Sequence, residues 1–395
     1  MMNGFPPPPD QQVTWANWRS PPHNRWGVQH LREIMPSAIV DVDPDRLWAL
    51  PRAQSDLGRV AFTAYDGRER SLDSWIQEGF IDGYAVLSRG AIVYERYLTG
   101  MTPASRHLVF SVTKSVTGLL LGVLADQGML DVEAPVSAYI PEAKDSGFGD
   151  ASVRQVLDMQ TSLDYDEDYS DPRGLTAKMR EASGFAPPSD PLVPSDLRSF
   201  LLGLGRRPGP HGKRFRYLTP NSDLLGWICE RATGVRFADL LSRHLWQPMG
   251  AERSADIALD RLGAARSGGG LCVTLRDLAR LGELVRCHGV ADGRQVVPAW
   301  WIDDIFRGGS RDAWAGSDFE YFLPGGAYRS QWYLSDARGT KFYAAGIHGQ
   351  WIYGNRDRDV VIAVMSSHPQ ASSTETHNDL IHLACFDAIA ASLSN

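Results

Sequence analysis

The chain has 395 residues, 43% hydrophobic and 22% charged, a globular composition that excludes collagen-like, coiled-coil and disordered classes. Lys and Arg total 40 against 47 Asp and Glu, so a net charge of -7 leaves no broad cationic field for a phosphate backbone, and nucleic acid is not an expected partner. The length allows two or three structural units, or one enzyme domain with insertions.

The N-terminus carries a proline run, Pro6 to Pro9, where a secretory signal needs a basic patch and an apolar stretch. No apolar run approaches the roughly 20 residues of a membrane span, so no membrane contact is expected and the cytoplasm is the expected compartment. Residues 1 to 55 lack periodicity and are expected to wrap a later core. Tyr84–Ser88 and Ala91–Tyr97, separated by Arg89-Gly90, predict a β-hairpin. From Ser111 the period changes: Val112, Ser115, Val116, Leu119, Leu120, Val123 and Leu124 recur at three and four, marking a buried helix to Asp126. Gly118 and Gly122 on that helix imply a close neighbour.

Helical signals dominate the middle. Ser152 reads as the N-cap of a helix to Met159, and Thr219-Pro220 as the cap and first-turn proline of a helix to Ala232, stopped by Gly234. Further helices are expected over Arg236–Trp246 and Leu275–Cys287. Strand signals return at Ser330–Leu334, Lys341–Ala345, Gln350–Tyr353 and Val360–Ser366, followed by a helix from Glu375 to Leu393. Early and late strands most economically share one antiparallel sheet. The expected organisation is an N-terminal wrapping segment (1–75), an antiparallel sheet region with a C-terminal helix (76–110 plus 328–395) and a mainly helical region (111–327), together one catalytic unit with its pocket at the boundary. Cys229, Cys272, Cys287 and Cys385 form no CxxC pair and read as reduced and structural. The ten histidines are scattered and His377 and His382 stand five apart, so no metal site is expected.

Ser111-Val112-Thr113-Lys114 opens the buried helix. A spacing of three puts Ser111 and Lys114 on one helical face, and the helix N-terminus offers unpaired N–H groups to a developing oxyanion. Alone, the tetrapeptide also reads as a serine N-cap followed by a lysine.

In context, the hairpin, the Ser-x-x-Lys helix and the helical middle resemble the penicillin-recognising serine hydrolases, a superfamily with class C beta-lactamases, DD-peptidases and carboxylesterases. The chain resembles its nylon-oligomer hydrolase and carboxylesterase branch. The resemblance spans most of the chain through Pro21–Trp26, Ser111–Lys114, Val156–Gln160, Glu167-Asp168-Tyr169, Tyr217, Arg276–Arg280 and Gly346–Gln350. It implies an α/β (α+β sandwich) beta-lactamase/transpeptidase-like fold, an antiparallel sheet flanked by helices with an inserted, mainly helical region. It also implies Ser111 as nucleophile, Lys114 as base and Tyr217 as proton donor. The family's second motif, Tyr-x-Asn, here has Thr219 in place of the asparagine, with Asn221 two further on. The third motif, Lys-Thr-Gly or His-Thr-Gly, has no lysine. One register places Gly346 at the motif glycine with the Ile347 N–H as second oxyanion donor; the other places Ile347-His348-Gly349 there with Gln350 as donor, and the first is preferred.

Substrate contacts are expected at Tyr169, Gly268, Ala345, Gly346, His348 and Tyr333. The branch holds a substrate amine with an acidic residue, at which this chain has Arg180, with Glu181 adjacent. The acidic stretch Asp164–Asp171 around Tyr169 would modestly favour neutral or cationic substrates. A short linear amide or ester is the expected small-molecule substrate, with no cofactor, and twelve tryptophans leave room for an apolar contact surface and a homodimer. The alternatives are a beta-lactamase or DD-peptidase, which the altered motifs oppose, and a catalytically silent ligand-binding homologue, whose signature would be loss of Ser111, Lys114 or Tyr217.

Overall fold

The computed structural model describes residues 1–189, 194–335, 338–372 and 376–393. Its centre is a seven-stranded antiparallel sheet built from β1 (Ile81–Ser88), β2 (Ala91–Tyr97), β3 (Ala327–Arg329), β4 (Trp332–Leu334), β5 (Lys341–Gly346), β6 (Gln350–Asn355) and β7 (Val360–Ser366). The spatial order is β3-β4-β5-β6-β7-β1-β2, so the expected joining of early and late strands occurs between β7 and β1, with Ala363 opposite Ala85. The β1–β2 hairpin turns through Arg89 and Gly90, both at positive φ, as a two-residue turn matched to strand twist demands.

Five helices position the site: α1 (Val112–Asp126), α2 (Leu175–Ala182), α3 (Thr219–Thr233), α4 (Leu275–Arg286) and α5 (Asn378–Ser392). Side chains alternate across β1. Ala85 and Leu87 join the core of α1, α3 and α4, whereas Tyr84 and Val86 join Ile381, Phe386 and Ile389 of α5. The sheet is thus covered by helices on both faces, which is why β7 is buried at every residue.

Helix α1 is buried over thirteen of its 15 residues, enclosed on all sides rather than amphipathic. Its two glycines have the close neighbours their spacing implied. A Cβ on Gly118 would strike the Ser330 carbonyl, and one on Gly122 would come within 2.5 Å of the Trp301 ring.

Three features differ from expectation. A second, four-stranded sheet runs Ser37–Val40, Ala255–Ala258, Leu271–Val273, His107–Leu108. It ties the N-terminal segment to the helical middle through strands of two to four residues, too short to show a period. Thr219 is not the N-cap of α3. Leu218 is, without a side-chain cap bond, and the Glu167 carboxylate accepts from both the N–H and the hydroxyl of Thr219. The closing helix begins at Asn378; its expected start, Glu375, lies outside the described residues. No helix of the described residues is long and apolar enough to cross a membrane.

Candidate active site

Ser111 enters α1 from the second sheet. Val109 N–H bonds to the Leu271 carbonyl at 2.9 Å, and Phe110 then turns the chain at a φ of 43°, a strained conformation for a phenylalanine that aims Ser111 at the helix mouth. Lys114, one turn on, is 1% exposed, with Nζ 3.0 Å from Ser111 Oγ and 2.5 Å from the Gly268 carbonyl oxygen. Burial, with the Arg266 guanidinium adding to it and Glu167 opposing it, lowers the Lys114 pKa to about 7. A large part of this amine is therefore unprotonated at neutral pH.

The Gly268 carbonyl is held in turn. Its N–H donates to Asp223 Oδ1 at 2.7 Å, and the other oxygen of Asp223 pairs with Arg266. A Cβ on Gly268 would lie about 3.0 Å from the Asp223 carboxylate, so the close approach needs glycine.

The turn after β5 faces the helix mouth. A Cβ at Gly346 would sit 2.7 Å from the Val109 carbonyl oxygen and 3.1 Å from Ser111 N, which places the backbone at 346–347 against that of Ser111. Neither the Ser111 nor the Ile347 N–H donates to another group among the described residues. Gln350, the donor of the other register, lies in β6 opposite Gly346 and binds the Ser366 carbonyl through its side chain. His348, at a φ of 63°, is 5.1 Å from the Phe110 ring, so the residues flanking the two free N–H groups buttress each other. Gly346→Ala is expected to cost about 1–3 kcal/mol of stability through overpacking against backbone, read as a lower urea midpoint, with reduced turnover in the fraction that folds.

Tyr217 lies at the end of the loop entering α3. Its side chain lines the same cleft as Ser111 and stacks on Tyr333 with ring centroids 6.3 Å apart, and Lys114 Nζ is 5.1 Å from its ring centroid. Burial, with Glu167 nearby, pushes its phenol well above the ordinary tyrosine value, so it stays protonated beside Lys114. Glu167 is the hub of this wall. Besides Thr219, it accepts from the Tyr169 hydroxyl at 2.7 Å.

The geometry unites a serine hydroxyl, a buried amine of lowered pKa, a protonated phenol and two free N–H groups. The beta-lactamase family model matches residues 77–386. The chain belongs to the beta-lactamase family. It is 36% identical over 366 residues, 93% of its length and 91% of the relative, to 6-aminohexanoate-dimer hydrolase of Paenarthrobacter ureafaciens. A solved Bacillus anthracis structure, whose 6-aminohexanoate-dimer hydrolase name is provisional, superposes with a TM-score of 0.88 at 28% identity over 98% of each chain. A family VIII carboxylesterase shares the fold at a TM-score of 0.58 and 16% identity, over 80% of this chain and 95% of that one. This chain is a serine hydrolase of the beta-lactamase fold.

In this beta-lactamase-family member, Ser111, Tyr169, Tyr217, Tyr333 and the segment Ala345–His348 line an open cleft of about 790 Å³. Lys114 and Gly268 do not. They line a smaller cavity that shares Ser111, Glu167, Tyr169 and Ile347 with the cleft. Gly268, expected to contact substrate, lines this smaller cavity and presents its carbonyl to Lys114, with its N–H held by Asp223. His348 is buried, with Nδ1 2.7 Å from the His368 carbonyl, and burial lowers its pKa to about 3. It is a neutral wall of the cleft.

Glu181 points away, accepting from the Ser189 N–H and hydroxyl, while Arg180 lines the small cavity. Two of the five carboxylates of the acidic stretch are ion-paired: Asp164 and Asp166 meet Arg207, and Asp166 also meets Arg216. It therefore exerts less pull on cationic substrates than its sequence suggests. Sequence reasoning missed the cap formed by Glu167, the Arg266–Asp223 pair and Arg19. Arg266 directly precedes the Ser267–Gly270 run, but only burial marks it as part of the site.

Proposed function

We propose that this hydrolase cleaves short linear esters and amides through an acyl-enzyme on Ser111, with Lys114 as base and Tyr217 as proton donor. The carrying observation is the buried 3.0 Å contact between Lys114 Nζ and Ser111 Oγ. Unprotonated Lys114 takes the Ser111 proton as Oγ attacks the carbonyl. The N–H groups of Ser111 and Ile347 receive the oxyanion, a contribution on the order of 3 kcal/mol per donor. Tyr217 protonates the leaving oxygen or nitrogen and regains a proton from Lys114. Water then attacks the acyl-enzyme, assisted by the same pair, and releases Ser111.

The amidase relative and the carboxylesterase fold neighbour support an ester or amide substrate. The cytoplasm is the proposed compartment, a reading supported by four free thiols.

The test is turnover of 4-nitrophenyl butyrate, 6-aminohexanoate dimer and nitrocefin by the wild type. Hydrolysis of the nitrophenyl ester with little on nitrocefin is expected; nitrocefin as the best of the three would favour a beta-lactamase, and no turnover of any ester or amide would overturn the proposal. Tyr217→Phe is expected to lower amide hydrolysis by about 10²-fold and nitrophenyl ester hydrolysis much less, because nitrophenolate departs without a proton. Equal losses on both substrates would remove Tyr217 from the leaving-group step.

A further inference from the structure

The small cavity beside Ser111 has a volume of about 40 Å³ and holds three arginines, Arg19, Arg180 and Arg266, in its wall. Arg266 is paired with Asp223. Arg19 and Arg180 have no carboxylate partner among the described residues, and the Arg19 Nε is buried without a hydrogen-bond partner. The only carboxylate in the wall, among the described residues, is Glu167, already accepting from Thr219 and Tyr169. Burial and the nearby Arg180 hold the Arg19 pKa down to about 9, the response of a cation that lacks its anion, yet it stays charged at neutral pH. Arg19 and Arg180 are half-buried, and an unpaired cation partly withdrawn from water is stabilised when an anion joins it.

The rest of the wall combines apolar Phe110, Met179 and Phe185 with the polar groups of Tyr165, Thr176 and Lys114. The space is small, enough for a few water-sized groups and hence for a carboxylate. Because Ser111 and Ile347 border both this space and the cleft, its occupant lies beside the attacking hydroxyl.

We infer that this cavity is the subsite for a terminal carboxylate on the acyl half of the substrate, making monoesters or monoamides of short dicarboxylic acids the preferred class. The inference rests on acylation at Ser111, and it turns on charge. Guanidinium groups match a carboxylate through paired N–H donors and repel an amine-terminated chain.

The experiment compares acid release from monoethyl succinate and monoethyl glutarate with that from the neutral ethyl butyrate and ethyl pentanoate, in wild type, Arg180→Gln, Arg19→Gln and Arg180→Lys. Glutarate binding is measured alongside by calorimetry on wild type and Arg180→Gln. The wild type is expected to favour the anionic esters at least tenfold in kcat/KM, and each Gln variant to reduce the anionic-to-neutral ratio at least tenfold. Arg180→Lys should restore part of it. A wild-type ratio near one, or a ratio unchanged in both Gln variants, overturns the subsite. Arg180 lies on α2 with no side-chain partner among the described residues, so R180Q remains decisive should R19Q fail to fold. If no ester turns over, the catalytic proposal fails instead, and glutarate binding that weakens at least tenfold in R180Q still supports the subsite, whereas equal or absent binding sinks it.

Discussion

Ser111→Ala will lower kcat/KM for 4-nitrophenyl butyrate by at least about 10⁴-fold, because Ser111 is the hydroxyl in contact with the Lys114 amine. Tyr217 is pushed well above the ordinary tyrosine value and Lys114 is held in the helix face by the Gly268 carbonyl. Neither is a substitute nucleophile of comparable strength or position. The substitution removes one hydroxyl at a 9% exposed position, so the fold should persist, and unchanged circular dichroism and thermal midpoint would confirm that the loss is chemical. Residual hydrolysis would come from the two N–H groups and from binding.

Lys114→Met is expected to cost about 10³-fold in kcat/KM, the range for removing a positioned general base. Its side chain fills much the same buried space, so packing is largely kept. The wild-type pH profile carries the sharper information. Burial depresses Lys114 to about 7, and the base is active when unprotonated. Thus kcat/KM should rise with pH through about 7 and flatten above it, with the rising limb lost in Lys114→Met. Since Tyr217 is held protonated far above this range, no falling limb from the phenol is expected near neutrality. A profile that falls as pH rises through 7, or an unchanged rising limb in Lys114→Met, would exclude Lys114 as the base.

What was legible in the sequence was local. The Ser111–Lys114 spacing, the period of α1 and the Arg89-Gly90 turn each lie within a few consecutive residues, and each reappears in three dimensions as read. The two glycines of α1 foretold close contact, although not that Ser330 and Trp301 would make it. The second sheet was hidden because its strands are too short to alternate. The site's supporting contacts were hidden for another reason. Glu167 meets Thr219 across 52 residues, and Lys114 meets Gly268 across 154. Local chemistry instead favoured Thr219 as the helix cap. The charge of the entrance misled in the same way: Asp164 and Asp166 read as an acidic patch until Arg207 and Arg216 fold onto them. The cationic cavity needs Arg19 and Arg180 brought together from opposite sides of the nucleophile in sequence, which no local pattern reveals.

The most direct measurement is mass spectrometry of the intact protein and its peptides after brief exposure to 4-nitrophenyl butyrate, in wild type and Ser111→Ala. The expected result is one butyryl group on the wild-type peptide containing Ser111 and none on the variant. Acylation at another residue, or equal labelling of Ser111→Ala, would contradict a Ser111 acyl-enzyme.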